Sequence, residues 1–498
     1  MTGRYATDDA FQTSREHFEQ VLGFLAGDQA GALTHAELED QLTSCGRQLM
    51  RQLYQDHLDL RAANEVRLAG VADADGAGRG TVEPAHTRTL ATVFGEVSVT
   101  RYAYRRRGQA NLYPADAALN LPAERHSHGL RRLAAIEASR GSFDEATEAA
   151  RAATGVRLGK RQVEQLAARA AADFQAFYDT SARPVPEPGD VLVLSADGKG
   201  IVMRPSALRP ATAKAAAKTG SKLATRLSKG EKRNRKRLAE LGTVYHAAPV
   251  PRSPADVLAS GQTERAPAPK AKAKWLTASV VDDAADVLAD VFDEAERRDP
   301  THQRTWVALV DGNNHQIERI HAEANQRSVT VTVLIDFIHV LEYIWRAAWS
   351  FYPEADPDAE TWVREKALAV LHGQASVVAA AIRRKATCLR LTPGQRVNAD
   401  RCANYLINKR DHLDYPTALQ KGWPIATGVI EGACRHLVKD RLDITGARWG
   451  LDGAEAILKL RALRTNDDFP EYWAYHVAQE HRRIHKTRYA TGVVPRAA

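Results

Sequence analysis

The sequence predicts an α/β fold, a sheet buried between helices, and three apolar runs that each end in an aspartate predict it. Val191 to Leu194 passes through Ser195 and Ala196 into Asp197-Gly198, Trp306 to Val310 runs into Asp311-Gly312, and Val329 to Ile335 runs into Asp336. Uninterrupted aliphatic runs of this length form strands covered on both faces, which places them in the middle of a sheet. An acid at the exit of a central strand, with glycine beside it so that nothing crowds its oxygens, suits a hard divalent cation. A single Asp-Gly of this kind reads as a turn. Its recurrence on a second strand is what points to a shared site.

Composition sets the frame for the remaining elements. The chain has 498 residues, 44% of them hydrophobic and 26% charged, which suggests about three globular domains with a substantial core. No apolar stretch approaches the roughly 20 residues that span a bilayer, and the first residues contain no apolar signal block. The expectation is a cytoplasmic, nucleoid-associated protein without a membrane partner. The four cysteines, Cys45, Cys388, Cys402 and Cys434, form no CxxC pair and read as small core residues. The net charge is +8, yet twelve Lys or Arg against one acid lie between Arg204 and Arg237, so the rest of the chain is net negative. A polyanion, nucleic acid above all, is the natural partner of such a segment, with a solvated linker as the alternative.

Residues 1–84 read as a helical region and a linker. Leu38, Leu42, Cys45 and Leu49 fall on one helical stripe, which suits an internal bundle better than a dimer seam. The Gly, Ala and Asp of 71–84 read as the linker. Within 85–185, two β-type runs around Gly95-Glu96 predict a hairpin. Helical spacing follows: Ser142-Phe143-Asp144-Glu145 starts one helix, Gly155 ends it, and Lys160 opens another. Two helices so joined fit a helix-turn-helix that would face DNA with Arg157, Lys160, Arg161 and Gln162. Helical hairpins also occur in proteins that never touch DNA, so these residues alone leave the reading open.

Pro184, Pro186 and Pro188 mark a boundary before a catalytic-core segment at 186–339, with a basic excursion at 204–274. GTVYHAAPV and KWLTASVV read as further strands, and DDAADVLADVFDEAERRD as an amphipathic helix with Val287, Val291 and Phe292 on its apolar side. Asp336 is either a helix N-cap or, with His339, a support of the site. Helical patterns fill 340–423, a second core segment spans 424–465, and 466–498 reads as a tail. If Thr427 to Leu442 is one helix, Ile430, Cys434 and Leu437 face the sheet while Glu431 sits at the edge beside Arg435 and Lys439. Glu431 is then either a metal ligand next to phosphate-holding cations or a surface ion pair.

Asp197, Asp311 and Glu431, on adjacent elements, form a constellation for two-metal phosphodiester chemistry, which needs hard oxygen ligands for two Mg²⁺ or Mn²⁺ ions. Clusters of histidine and thiolate would have indicated zinc.

SADGKG, VALVDGNNHQIERIHAEA, VTVLIDFIHVLEYIW and GVIEGACRHLVKDRLDITGARW together resemble the DDE transposases of bacterial insertion sequences, specifically the ISKra group, over roughly residues 90 to 465. The resemblance implies an RNase H-like mixed sheet core with a helical insertion, preceded by helical and helix-turn-helix DNA-binding modules. Asp197 then matches the first catalytic acid, Asp311 the second at the end of the fourth strand, and Glu431 the third. Asp336 and His339 match a D-x-x-H pair that follows the fifth strand and supports the site. The implied activity is binding of double-stranded DNA at element ends, metal-dependent cleavage that frees a 3′-hydroxyl, and transfer of that end to target DNA by a homo-oligomer. Lys232, Arg233, Arg235, Lys236, Arg237, Arg435 and Lys439 would neutralise backbone phosphate. The basic excursion stretches the separation of Asp197 and Asp311, which a surface loop tolerates, and RYAYRRRGQANLYPADAALNLP lacks the cysteines of a zinc module. A nuclease without strand transfer and a non-catalytic DNA-binding derivative remain the alternative classes.

Overall fold

The computed structural model describes residues 9–218, 223, 235–259, 265–444 and 446–496. The chain is mixed α/β and divides into two units, one of 1–180 with 467–498 and one of 181–466.

In the first unit, strands β1 (Thr81–Thr92) and β2 (Gly95–Arg105) form an antiparallel hairpin closed by Val93 and Phe94. β1 therefore begins inside the stretch whose Gly and Ala content reads as linker. The ladder shifts register between Glu83 and His86, where Pro84 withholds a donor and Ala85 takes φ 55°. The long helix His35–Ala63 packs on β2. Leu38, Cys45 and Leu49 of its stripe are half-buried and Leu42 is exposed, so the stripe is only partly covered among the described residues. Ser142 caps the helix Phe143–Thr154 by accepting from Glu145 N at 3.1 Å, while Glu145 accepts from Ser142 N at 2.6 Å. This reciprocal box satisfies two orphan donors. Gly155 ends the helix with φ 72° and Lys160–Ala170 follows. The segment beyond 466, read as a tail, is instead the helix Phe469–Ile484 and belongs to this unit. Polar bonds hold it there: the buried Arg131 donates to Glu480 at 2.8 Å, and the half-exposed Arg483 to Asp173 at 2.9 Å.

The second unit is organised by a five-stranded sheet: β3 (Val191–Val202), β4 (Lys236–Ala247), β5 (Ala271–Ser279), β6 (Trp306–Val310) and β7 (Val331–Ile335). Their spatial order is β5-β4-β3-β6-β7, antiparallel among the first three and parallel from β3 to β7. The three apolar runs are thus neighbouring strands, with β3 in the centre. Leu192, Val193, Val307, Leu309 and Val310 are fully buried; such strands are held by apolar area removed from water on both faces. The helix Ala284–Arg298 lays Val287, Val291 and Phe292 against β3 and β4.

The basic excursion is shorter than its charge suggests. Lys236 and Arg237 are the first residues of β4, which pairs along the whole of β3. Charge near a strand end obscures a strand whose alternation is otherwise plain. Between 340 and 423 the chain is helical, with Pro357–Leu371, Ala375–Cys388 and Val397–Asn408 the longest elements.

Candidate metal centre at the strand ends

Parallel pairing sets the geometry of the acids. Ser195 pairs with Leu309, and Val310 with Ile335, so Asp311 and Asp336 follow the ends of β6 and β7, whereas Asp197, expected at a strand exit, lies beside them within β3, which stays paired with β4 through Val202. Asp197 accepts from Gly198 N at 2.7 Å and from Cys434 Sγ at 3.1 Å. Asp311 is exposed and accepts from Asn313 N at 2.8 Å. Gly312 takes φ 92°, and a Cβ there would lie 2.6 Å from Tyr405 Oη; only glycine fits this turn. Tyr405 donates to Asp311 O at 3.1 Å and stacks on Tyr343 with centroids 4.0 Å apart.

Asp336 is the helix N-cap that one of its two readings expects. Its carboxylate caps the helix Phe337–Ala348, accepting from Ile338 N at 2.7 Å, and it also meets His339 and Glu431. One ligand atom from each of these three residues lies within 4.8 Å of the others, and this is the one such group of three or more among the described residues. Asp336 is fully buried, accepts from Thr427 Oγ1 as well, and has no cationic partner among the described ion pairs. Desolvating a carboxylate costs several kcal/mol, and two hydrogen bonds offset only part of it. A bound cation would complete the balance. The donor set of two carboxylates and one imidazole can hold a divalent metal ion, and the nitrogen ligand suits a first-row transition ion such as Mn²⁺.

Glu431 reaches this group from a helix with a break in its register. Gly428–Ala433 is α-helical, Cys434–Lys439 is a π-helical turn, and Asp440–Leu442 returns to α. Such wide turns occur at functional sites because they re-aim side chains. Ile430, Cys434 and Leu437 are buried against the sheet. Burial and the neighbouring Asp336 raise the Glu431 carboxyl above its ordinary range, and its Oε1 lies 3.2 Å from Thr427 Oγ1, whose single proton goes to Asp336. No ion pair joins Glu431 to Arg435 or Lys439 among the described residues; both cations are exposed.

The structure thus gathers Glu431 with Asp336 and His339, while Asp197 and Asp311 line an adjoining cavity and join no equally tight ligand group among the described residues. Of the proposed DNA contacts, Arg157, Lys160, Arg161 and Gln162 are exposed. Lys160 pairs with Asp144 at 2.6 Å, and Gln162 accepts from Gly159 N at 2.8 Å. Lys236 donates to Gly200 O at 3.1 Å, and Arg237 donates to Val280 O at 2.5 Å and Val281 O at 3.1 Å. These two cations, expected to neutralise backbone phosphate, bond carbonyls of the fold itself. Arg235 precedes β4 and its carbonyl accepts from Met203 N at 2.9 Å. Lys232 and Arg233 lie outside the described residues. Sequence reasoning missed Thr427, Tyr405 and Glu240, and it read Cys434 only as core.

No protein-family model matches the chain, and no curated protein matches it either. What fold and site define is therefore a class: a mixed α/β protein with an acidic, metal-competent centre at the edge of its central strands.

Proposed function

We propose that this protein is a metal-dependent DNA-cleaving and strand-transferring enzyme, a transposase of the DDE type with an RNase H-like core. The observation that carries the reading is the placement of the acids. Counted in chain order through the five-stranded sheet, Asp197 lies on the first strand, which is central in the sheet, Asp311 follows the fourth, Asp336 and His339 follow the fifth, and Glu431 comes from a covering helix. This is the distribution that the family resemblance implies.

A divalent ion held by Asp336, His339 and Glu431, with a second toward Asp197 and Asp311, would supply Lewis acidity and a water of lowered pKa. The chain's own residues prepare the edge. Thr427 and Ile338 N fix Asp336, Cys434 and Gly198 N fix Asp197, and Tyr405 with Gly312 fixes the turn that carries Asp311. Such fixed oxygens need no rearrangement as charge develops on phosphate. Exposed Arg435 and Lys439, on the turn beyond Glu431, supply positive charge for the DNA backbone.

The test is incubation of the full chain and Mn²⁺ with duplex DNA carrying the sequences that flank its gene, followed by a joining assay with pre-cut ends. Cleavage to a 3′-hydroxyl and a joined product support the proposal. Cleavage without joining makes the protein a nuclease, and binding without cleavage a DNA-binding derivative.

A further inference from the structure

A cavity of about 340 Å³ opens beside the acidic edge, between the sheet and the helices Ala284–Arg298 and Asn314–Gln326. Leu241, Val287 and Leu288 give it an apolar floor, and Asp197 and Asp311 border it. Two further side chains line it with hydrogen-bonding capacity unspent. Glu240, on β4, makes no hydrogen bond or ion pair among the described residues. It pairs across the strand with Gly198, where a Cβ would stand 2.8 Å from Glu240 Oε2. The missing side chain is what lets this carboxylate lie over β3 toward the acidic edge. Arg319 Nη1 is buried without a hydrogen bond, its nearest carboxylate being Asp283 at 3.7 Å.

The chemistry of the lining selects its occupant. Three carboxylates against one guanidinium disfavour a phosphate. The floor of Leu241, Val287 and Leu288 carries no oxygen for a cation, so an ion held by Asp197 and Asp311 stays at the rim and leaves the floor free. The remaining fit is a neutral, flat group with apolar faces, donors for Glu240 and acceptors for Arg319, and a nucleobase has all of these. Guanine matches best, offering N1–H and the 2-amino group to a carboxylate and O6 and N7 to a guanidinium.

We propose that this cavity is a subsite for an unpaired guanine of the DNA strand beside the scissile phosphate, held by Glu240 and Arg319; the proposal rests on the DNA-cleaving reading above. The subsite would give the enzyme a base preference at the strand end that phosphate contacts cannot supply.

The experiment is equilibrium anisotropy of the full chain in EDTA with labelled oligothymidine carrying one central guanine, inosine, 7-deazaguanine or thymine. Guanine is expected to bind roughly tenfold tighter than thymine, a discrimination of about 1.4 kcal/mol. Inosine, lacking the 2-amino group, and 7-deazaguanine, lacking N7, should each lose part of that advantage. Glu240→Gln should bring guanine and inosine level. Equal binding of all four strands by the native chain overturns the subsite, as does a guanine–inosine difference that survives in folded Glu240→Gln. If that variant does not fold, the two analogues on the native chain decide. Because no cleavage is read, a guanine preference in a chain that never cuts DNA would sink the transposase reading and leave the subsite standing. Cleavage without any preference does the reverse.

Discussion

Asp336 has no exposed surface and lies against Glu431 and His339 among the described residues, so a bound ion would offset the negative charge gathered there. Asp336→Asn should therefore stabilise the metal-free protein while abolishing its response to metal. In the native chain, Mn²⁺ at a hundredfold excess over its Kd should add about 2.7 kcal/mol of stability; differential scanning fluorimetry with and without Mn²⁺ reads both effects, and a full response in the variant would move the ion elsewhere. Cys434 acts on Asp197 through one hydrogen bond of 3.1 Å. Burial and the adjacent Asp197 push its thiol well above the ordinary range, so it stays a donor. Cys434→Ala should slow cleavage up to roughly tenfold, the worth of about 0.5–1.5 kcal/mol, and Cys434→Ser should recover most of the rate if positioning is the cause. The residues that close apolar runs were legible in the sequence because strand periodicity displays them. Cys434 and Glu240 were not, since a buried thiol resembles core and the value of Glu240 lies in a cross-strand glycine that no local pattern reveals.

Turns between strand and helix carry the site, and the turn after β6 is the most constrained of them. Gly312→Ala would force a side chain onto positive φ and against Tyr405. The expected outcome is a stability loss of about 1–2 kcal/mol together with a larger loss of cleavage, because the loop carrying Asp311 must move. Parallel falls in unfolding free energy and in rate would reduce the turn to scaffolding. At this scale β3, β6 and β7 followed from three apolar runs, and the helix bearing Glu431 from its spacing. Its π-helical turn did not, because hydrogen-bond register inside a helix leaves no trace in apolar periodicity. β4 was read too short for a different reason: Lys236 and Arg237 look like loop cations, yet they bond Gly200, Val280 and Val281 carbonyls.

Across the whole molecule, buried histidines and depressed acids set the response to pH. Burial and Arg131 lower His128 to about 4, and burial and Arg298 lower His246 to about 4; His246 accepts from Arg298 at 3.3 Å only while neutral. Burial raises Asp173 and Glu480, but bonds from His476, Arg483 and Arg131 outweigh it and hold both acids below their usual range. Folded-state values below the unfolded ones mean stability is complete above pH ~6.5, erodes through the histidines toward pH ~4, and falls further as the acids protonate. Urea unfolding at pH 7 and pH 4.5 should differ by a few kcal/mol, and equal stabilities would remove the histidines from the account. The central claim concerns the acids gathered by the sheet, and Mn²⁺-dependent cleavage of DNA flanking the gene tests it most directly. The native chain should release a 3′-hydroxyl end, and Asp197→Asn, Asp311→Asn, Asp336→Asn and Glu431→Gln should each bind that DNA yet lose cleavage at least a hundredfold, about 2.7 kcal/mol of barrier. Native-like cleavage by all four variants, or by the native chain in EDTA, would contradict it.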